Sequence, residues 1–227
     1  MSEFSKIDVI VEAALRLAAQ KPWRDVTLGE IAGEAQLSLA ELSSHVASKS
    51  DILAAFIRNT DKRLLASLAE NPVEGNEHDR LFDVMLRRFE LLAPHKRALA
   101  GIAKAPDGGP SEWLHILAAA LDSQGWALAA AGLEAPGLKG DLHKLGLVRI
   151  HARTLRVWLD DDDAGLSRTM AALDRSLRDG ETWMRRIETP IALCSSFIRA
   201  FRDVRAGQTH NREKSKPNDD AHHEPAS

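Results

Sequence analysis

The sequence predicts an all-α protein, and three features carry that expectation. Apolar residues recur at three- and four-residue spacing along most of the chain. Ala and Leu, both strong helix formers, dominate the composition. Twice a hydroxyl residue stands three positions ahead of a glutamate at the head of an apolar run: Thr27 with Glu30, and Ser38 with Glu41. At that spacing the two side chains reciprocally satisfy free N–H groups at the start of a helix.

The elements follow in order. A first helix is expected from Ser5, its N-cap, to Ala19, with Ile10, Ala13, Ala14, Leu17 and Ala18 on one face; Pro22 prevents its continuation. A second opens at Thr27 and buries Leu28, Ile31, Ala32 and Ala35, and a short third opens at Ser38. A fourth starts after Ser48 and runs to Glu70, with Ile52, Leu53, Phe56, Ile57, Leu64 and Leu68 inward. The turn-rich stretch 71–77 marks a boundary. Further helices are expected near 78–93, 95–104, 111–131, 138–159, 165–187 and 190–205, and the polar segment from Gly207 reads as a disordered tail. This divides the chain into residues 1–70, 71–206 and 207–227.

The net charge of −3 removes any argument from a basic protein, although a nucleic-acid footprint need only be local. One cysteine, Cys194, excludes an internal disulfide and suits a reducing compartment. The first twenty residues are acidic and amphipathic, unlike a signal peptide, and no long uncharged apolar run is present. A cytoplasmic protein without stable membrane insertion is therefore expected. No nucleophile motif, phosphate-binding glycine loop or helical histidine pair appears, so neither an enzyme nor a cofactor is expected. The run Asp160 to Asp163 lacks the glycine and glutamate of a calcium loop. It ends one helix, where acid opposes the dipole, and offers Asp162 or Asp163 as a cap for the next, so no metal is expected.

Residues 26–53 have the spacing of a helix-turn-helix, a device that lays its second helix in the DNA major groove. Residues 8–60 resemble the DNA-binding domain of the tetracycline-repressor (TetR) family. The resemblance rests on Val26, Thr27, Ile31, Ala32, Ala35, Ser38, Leu42, His45, Ser48, Lys49 and Leu53 in order, with an aromatic at Trp23. It implies an all-α homodimer that binds double-stranded operator DNA and is released by a small apolar ligand held in the C-terminal domain. The DNA-facing candidates are Thr27, Ser38, Leu39, Ala40, Ser43, Ser44, His45 and Lys49. The match departs from the family at Gln36, where a glycine is usual, and at Leu39, Ser43 and Val46, where a cation, Tyr and Phe are usual. Glu41 is the charge that the short third helix carries, and its capping role is the plain explanation for it.

Residues 158–188 are also similar to the C-terminal segment of ubiquinone-biosynthesis lipid-binding proteins, through Trp158, the aspartate run, Thr169 and Leu173-Asp174-Arg175. Those proteins share the repressor fold, hold an isoprenoid or other lipid, and leave DNA alone. In the middle helices Phe82, Met85, Phe89, Trp113, Leu117, Trp126 and Trp158 are the large apolar groups. They read as packed core. The family resemblance implies instead a pocket lined by them, with His151 and Arg153 supplying its polar contacts. Residues 165–187 carry a heptad-like stripe including Leu166, Met170, Leu173 and Leu177, and residues 190–205 a second stripe through Cys194, Phe197 and Phe201. Two adjacent stripes suit a four-helix dimer interface. The expected function is a ligand-responsive TetR-type regulator, with a lipid-binding protein on the same fold as the alternative.

Overall fold

A computed structural model describes residues 5–105, 107–180 and 182. Among them there is no strand. The helices are α1 (Lys6–Ala18), α2 (Leu28–Glu34), α3 (Leu39–Ser43), α4 (Lys49–Glu70), α5 (Glu77–Leu92), α6 (Lys96–Lys104), α7 (Pro110–Ala130) and α8 (Gly137–Leu159), with short 3-10 turns at Trp23–Asp25 and Ala93–His95. A further helix, α9, covers 167–180. The expected helix over 190–205 and the tail from residue 207 lie outside the described residues. The chain divides into units of residues 1–181 and 182–227, and the nine helices given for the described residues belong to the first.

Local chemistry sets the boundaries. The boxes read from the sequence close as expected: Thr27 accepts from the Glu30 N–H at 3.2 Å while its own N–H and hydroxyl donate to the Glu30 carboxylate at 2.9 Å. Ser38 and Glu41 do the same. Ser48 with Asp51 and Asn76 with Asp79 are two further boxes, opening α4 and α5. A helix cap of this type typically contributes about 1 kcal/mol.

The turn between α2 and α3 is a Schellman motif. The Leu37 N–H reaches the Ala32 carbonyl at 2.9 Å, the Gln36 N–H reaches Gly33, and Gln36 takes φ +58°. Its twin ends α7, where Gly132 (φ +70°) takes the same place and Leu133 N–H donates to Leu128. Glycine is the usual residue there because a Cβ is strained at positive φ. At Gln36, where the family usually has glycine, the backbone therefore keeps the glycine geometry without the glycine.

Two apolar clusters form the core. The first joins Ile10, Trp23, Ile31, Leu42, Ile52 and Phe56 of the N-terminal helices to Phe89, Leu92 and Trp158. The second gathers Leu64, Val84, Met85, Leu128, Leu147, Leu173 and Leu177. The α4 helix belongs to both, so the segments expected on either side of residue 70 share this helix.

Several expectations are corrected by this packing. The helix expected from residue 165 begins at 167, because Leu166 has φ +52° and stands outside it. Leu173 and Leu177 are buried inside one subunit, so they are already spent and cannot line an intersubunit seam. Met170 stays half-exposed, while Cys194, Phe197 and Phe201 lie outside the described residues. Asp163 does cap α9, accepting from the Ser167 N–H at 3.2 Å. The buried member of the run is its neighbour Asp161, which accepts from the Thr169 N–H and hydroxyl at 2.8 and 2.7 Å. Gly180 lets α9 approach α8, since a Cβ there would stand 2.9 Å from Ile150 Cδ1.

The Gln36 geometry gives a test. Gln36→Gly should keep or slightly raise the melting temperature, whereas Gln36→Val should lower stability by roughly 1–2 kcal/mol, because a β-branched residue is most strained at positive φ. Equal denaturant midpoints for the two variants would contradict a left-handed residue in this turn.

Candidate functional site

The N-terminal head presents one compact polar face. Ser38, Leu39, Ala40, Ser43, Ser44 and His45 are all exposed, Leu39 at 59%, on and beside α3, and Leu42 anchors the helix to the core. Thr27 is exposed at the start of α2. The hydroxyls are engaged at home: Thr27 with Glu30, Ser38 with Glu41, Ser43 with the Ala40 carbonyl at 2.9 Å and Ser44 with the Glu41 carbonyl at 2.7 Å. Ser38's N–H and hydroxyl, followed by Lys6, hold the Glu41 carboxyl below its usual range, so it is charged at neutral pH.

Lys49 does not sit on this face, which corrects its place among the DNA contacts. Its ammonium donates to the Trp23 and Val26 carbonyls at 2.9 and 2.8 Å, pairs with Asp107, and lies 5.0 Å from the Trp23 ring centre. Only 16% of the side chain is exposed. Two residues later Asp51 caps α4 and pairs with His115 Nε2 at 3.1 Å. The first turn of α4 is thus gripped by the start of α7 and the residue Asp107 before it. A cavity of about 300 Å³ lies between them, lined by Trp23, Thr27, Lys49, Asp107 and Ile116 among others.

The other cations of residues 5–49 are also paired. Lys6 lies 3.4 Å from Glu41, Arg16 2.7 Å from Glu34, Lys21 2.5 Å from Glu30 and Arg24 3.8 Å from Asp25. The Lys21 bond, ahead of those from Thr27, pulls the Glu30 carboxyl down to about 2. Exposed pairs of this kind add little stability, so a phosphate can compete for Lys6, Arg16 and Arg24. Asp8, Glu12, Asp25, Glu30, Glu34 and Glu41 still leave this stretch slightly acidic.

The residues expected to line a ligand pocket are split among three surroundings. Met85, Phe89 and Trp158 are fully buried, and Phe82 is half-buried beside the second cluster. Trp113 and Trp126 are about half exposed (49% and 55%), and Leu117 is exposed beside Trp113. The first half of α7 has no buried residue, so apolar character there could not mean core. Arg153 faces outward, whereas His151 stacks on Phe89 with ring centres 5.1 Å apart. Of these nine, Trp126 lines a cleft of about 510 Å³ bounded by Arg58 and Asp61 of α4, by α7, by Glu134 and by Lys144 of α8. That volume falls in the usual range for small-molecule sites.

Behind the cleft lies a feature that no sequence motif announces: a buried polar layer between the two apolar clusters. The Asp61 carboxylate accepts from Arg88 Nη1 at 2.7 Å and from the Ser123 hydroxyl at 2.8 Å. Elsewhere in the interior, Gln124 of α7 and Thr154 of α8 are buried polar residues, and His151 of α8 stacks on Phe89. Arg88 Nε, Gln124 Oε1, Thr154 Oγ1 and His151 Nδ1 are buried with no hydrogen-bond partner among the described residues. Each such group costs roughly 1–3 kcal/mol, and folded proteins keep few of them. Burial first, and then the Arg88 charge, push the His151 imidazole down to about 3, so it is neutral at physiological pH. A polar residue within an otherwise apolar stripe was the available signal on α4 and α5; the convergence of three helices on Asp61 was not readable from spacing.

No protein-family model and no curated protein sequence matches the chain. Solved structures do. A TetR transcriptional regulator from Nitrosomonas europaea ATCC 19718 aligns at TM-score 0.62 and 20% identity, covering 78% of this chain and 98% of that one. A second, from Rhodococcus sp. RHA1, aligns at 0.60 and 18%, covering 77% and 94%. The chain therefore has the fold of these regulators.

The clamp and the buried imidazole can each be tested. Asp107→Asn should leave the fold intact and expose Lys49 to amine acylation, read by mass spectrometry, while Lys49→Met should lower stability by about 1–3 kcal/mol by stranding two carbonyls and a carboxylate. An unchanged acylation rate in Asp107→Asn would refute the clamp. His151 is neutral when folded but protonates when unfolded, so its contribution to stability is present above about pH 6.5 and is lost as pH falls toward 3. Between pH 7 and 5 that amounts to up to about 2 kcal/mol. His151→Leu should flatten this part of a urea-stability profile; an identical slope in both proteins would contradict it.

Proposed function

We propose that the protein is a TetR-type transcriptional regulator that binds DNA weakly and answers to a small, mostly apolar ligand. The observation that carries this reading is the intact helix-turn-helix: a short, fully capped α3, held exposed by a Schellman turn, at the position of a recognition helix. The fold neighbours, themselves TetR regulators, support it. A homodimer is part of the proposal, since two heads are needed to read two half-sites. Among the described residues no helix is long and apolar enough to cross a membrane.

Electrostatics sets the strength of the interaction. Affinity for duplex DNA rests largely on phosphate neutralisation. Here Lys49 is clamped and the exposed cations must first leave Glu41, Glu34 or Asp25. The same observation favours a second reading, a lipid-binding protein on this fold that leaves DNA alone.

Fluorescence anisotropy with labelled duplex DNA separates the two. Binding at about 50 mM salt, lost by about 200 mM and strengthened by Glu41→Lys, is the expected result for contacts made through phosphates. A wild type that binds no duplex at the lower salt, while Glu41→Lys also stays inert, would overturn the regulator and leave the ligand-binding protein.

A further inference from the structure

We propose that the cleft lined by Trp126 takes an organic cation, a primary ammonium on an apolar or aromatic body, and that the Asp61 carboxylate accepts from its N–H groups. The inference deepens the ligand half of the proposed function and needs no DNA. Asp61 lines the cleft of about 510 Å³ and is almost fully buried. Its Oδ1 is engaged by Arg88 and Ser123. Its other oxygen, Oδ2, accepts no hydrogen bond among the described residues. An ionised carboxylate offers about four acceptor positions. A buried acceptor therefore stands unused on a residue of the cleft wall.

The charges around the cleft select the sign of the ligand. Of its lining residues, Arg58 and Lys144 are cationic and Asp61, Asp122 and Glu134 anionic. Arg88 balances Asp61 at 2.7 Å, and Asp141 lies 3.8 Å from Lys144, three residues away on α8. Asp122 and Glu134 are left against Arg58, and none of these three forms an ion pair among the described residues. One carboxylate is in excess, so an anionic ligand meets repulsion and an ammonium meets a partner. These three are exposed and screened by water, so they bias the sign of the preference, while the buried Asp61 sets its strength. An N–H bond from an ammonium to a carboxylate is roughly twice as strong as one between neutral groups, which puts an amine ahead of an alcohol. Trp126, 55% exposed, is the aromatic ring among the lining residues. An indole face attracts a cation within about 6 Å more strongly than any other side-chain ring. Ala119, Gly125, Ala135 and Gly140, also on the wall, fill little of the space.

Calorimetric titration of the full chain with phenylbutylamine, phenylbutanol and phenylbutyrate tests this, because the three probes share an apolar body and differ at the head. The amine should bind at least about tenfold tighter than the alcohol, with the carboxylate weakest. Asp61→Asn should remove about tenfold of the amine's affinity, more than it removes from the alcohol's. That variant leaves Arg88 without its counter-charge, so circular dichroism checks that it folds. If it does not, Trp126→Leu and the double variant Asp122→Asn with Glu134→Gln carry the comparison, since all three side chains are exposed. Each should lower amine affinity by about two- to fivefold and alter that of the alcohol less. Equal or tighter binding of the alcohol or the carboxylate, no binding of any probe, or wild-type amine affinity in the folded variants would overturn the proposal. Tightest binding of the alcohol would keep the reading of a mostly apolar ligand and remove this one. An amine-binding protein inert to DNA would support this inference and remove the regulator. A DNA-binding protein that takes none of the probes would do the reverse.

Discussion

The Asp61 carboxylate ties three helices together at the middle of the fold. It sits halfway along α4, takes hydrogen bonds from Arg88 on α5 and Ser123 on α7, and is almost fully buried. Removing one partner of such a pair strands the other charge and costs about 3–5 kcal/mol. Replacing the pair by fitted apolar residues would often be neutral, so stability alone does not explain why it is there. Its effect is to fix a register. It holds the two apolar clusters at a set spacing along α4, with Phe56 and Phe89 on one side and Leu64 and Met85 on the other. The cleft and the unpartnered polar atoms exist because the two clusters do not merge.

Features decided within a few residues were legible in the sequence. The Thr27–Glu30 and Ser38–Glu41 boxes, the break at Pro22 and the start of α7 at Pro110 are contests between neighbouring backbone and side-chain groups, and spacing alone shows their outcome. Features decided by distant partners were not. Lys49 reads as a free cation at a helix start; its captor is Asp107, from a separate loop, together with two carbonyls of the Trp23–Asp25 turn region. Leu173 and Leu177 read as a seam awaiting a partner, and the partner proved to be α4, α5 and α8 of the same chain. Trp113 and Trp126 read as core from their size, yet area buried depends on what lies opposite each side chain, and among the described residues both stay about half exposed. Asp61 and Arg88, the centre of the fold, carry no motif at all.

The clamp on α4 bears on how ligand and head could communicate. The Lys49–Asp107 ion pair and the contact of Asp51 with His115 Nε2 join the first turn of α4 to α7 and the residue shortly before it. At its other end the same α7 supplies Ser123 to the Asp61 carboxylate and Trp126 to the cleft. A single helix therefore touches both places, and α4 runs alongside it between them. A rigid element contacting two sites is the physical requirement for coupling, but its presence is not coupling. A ligand shifts the head only to the extent that it binds one position of α7 better than another. The effect must also be reciprocal, so DNA would change ligand affinity by the same factor.

That reciprocity limits what the clamp can do. If α7 moves when a ligand occupies the cleft, Asp107 moves with it, and Lys49 exchanges a carboxylate for solvent or phosphate. The Trp23 and Val26 carbonyls would keep part of their hold, because they belong to the head and move with Lys49. The gain in positive potential at the head is therefore at most one partly released charge. Beside Glu41 and the paired Lys6, one charge changes a weak phosphate attraction by a small factor and leaves base recognition untouched. In the proposed homodimer, any larger response would have to come from the spacing of the two heads, which decides whether both copies of α3 could meet successive major grooves. In that arrangement geometry would decide whether both heads engage together, while the strength of each contact would still be limited by phosphate neutralisation.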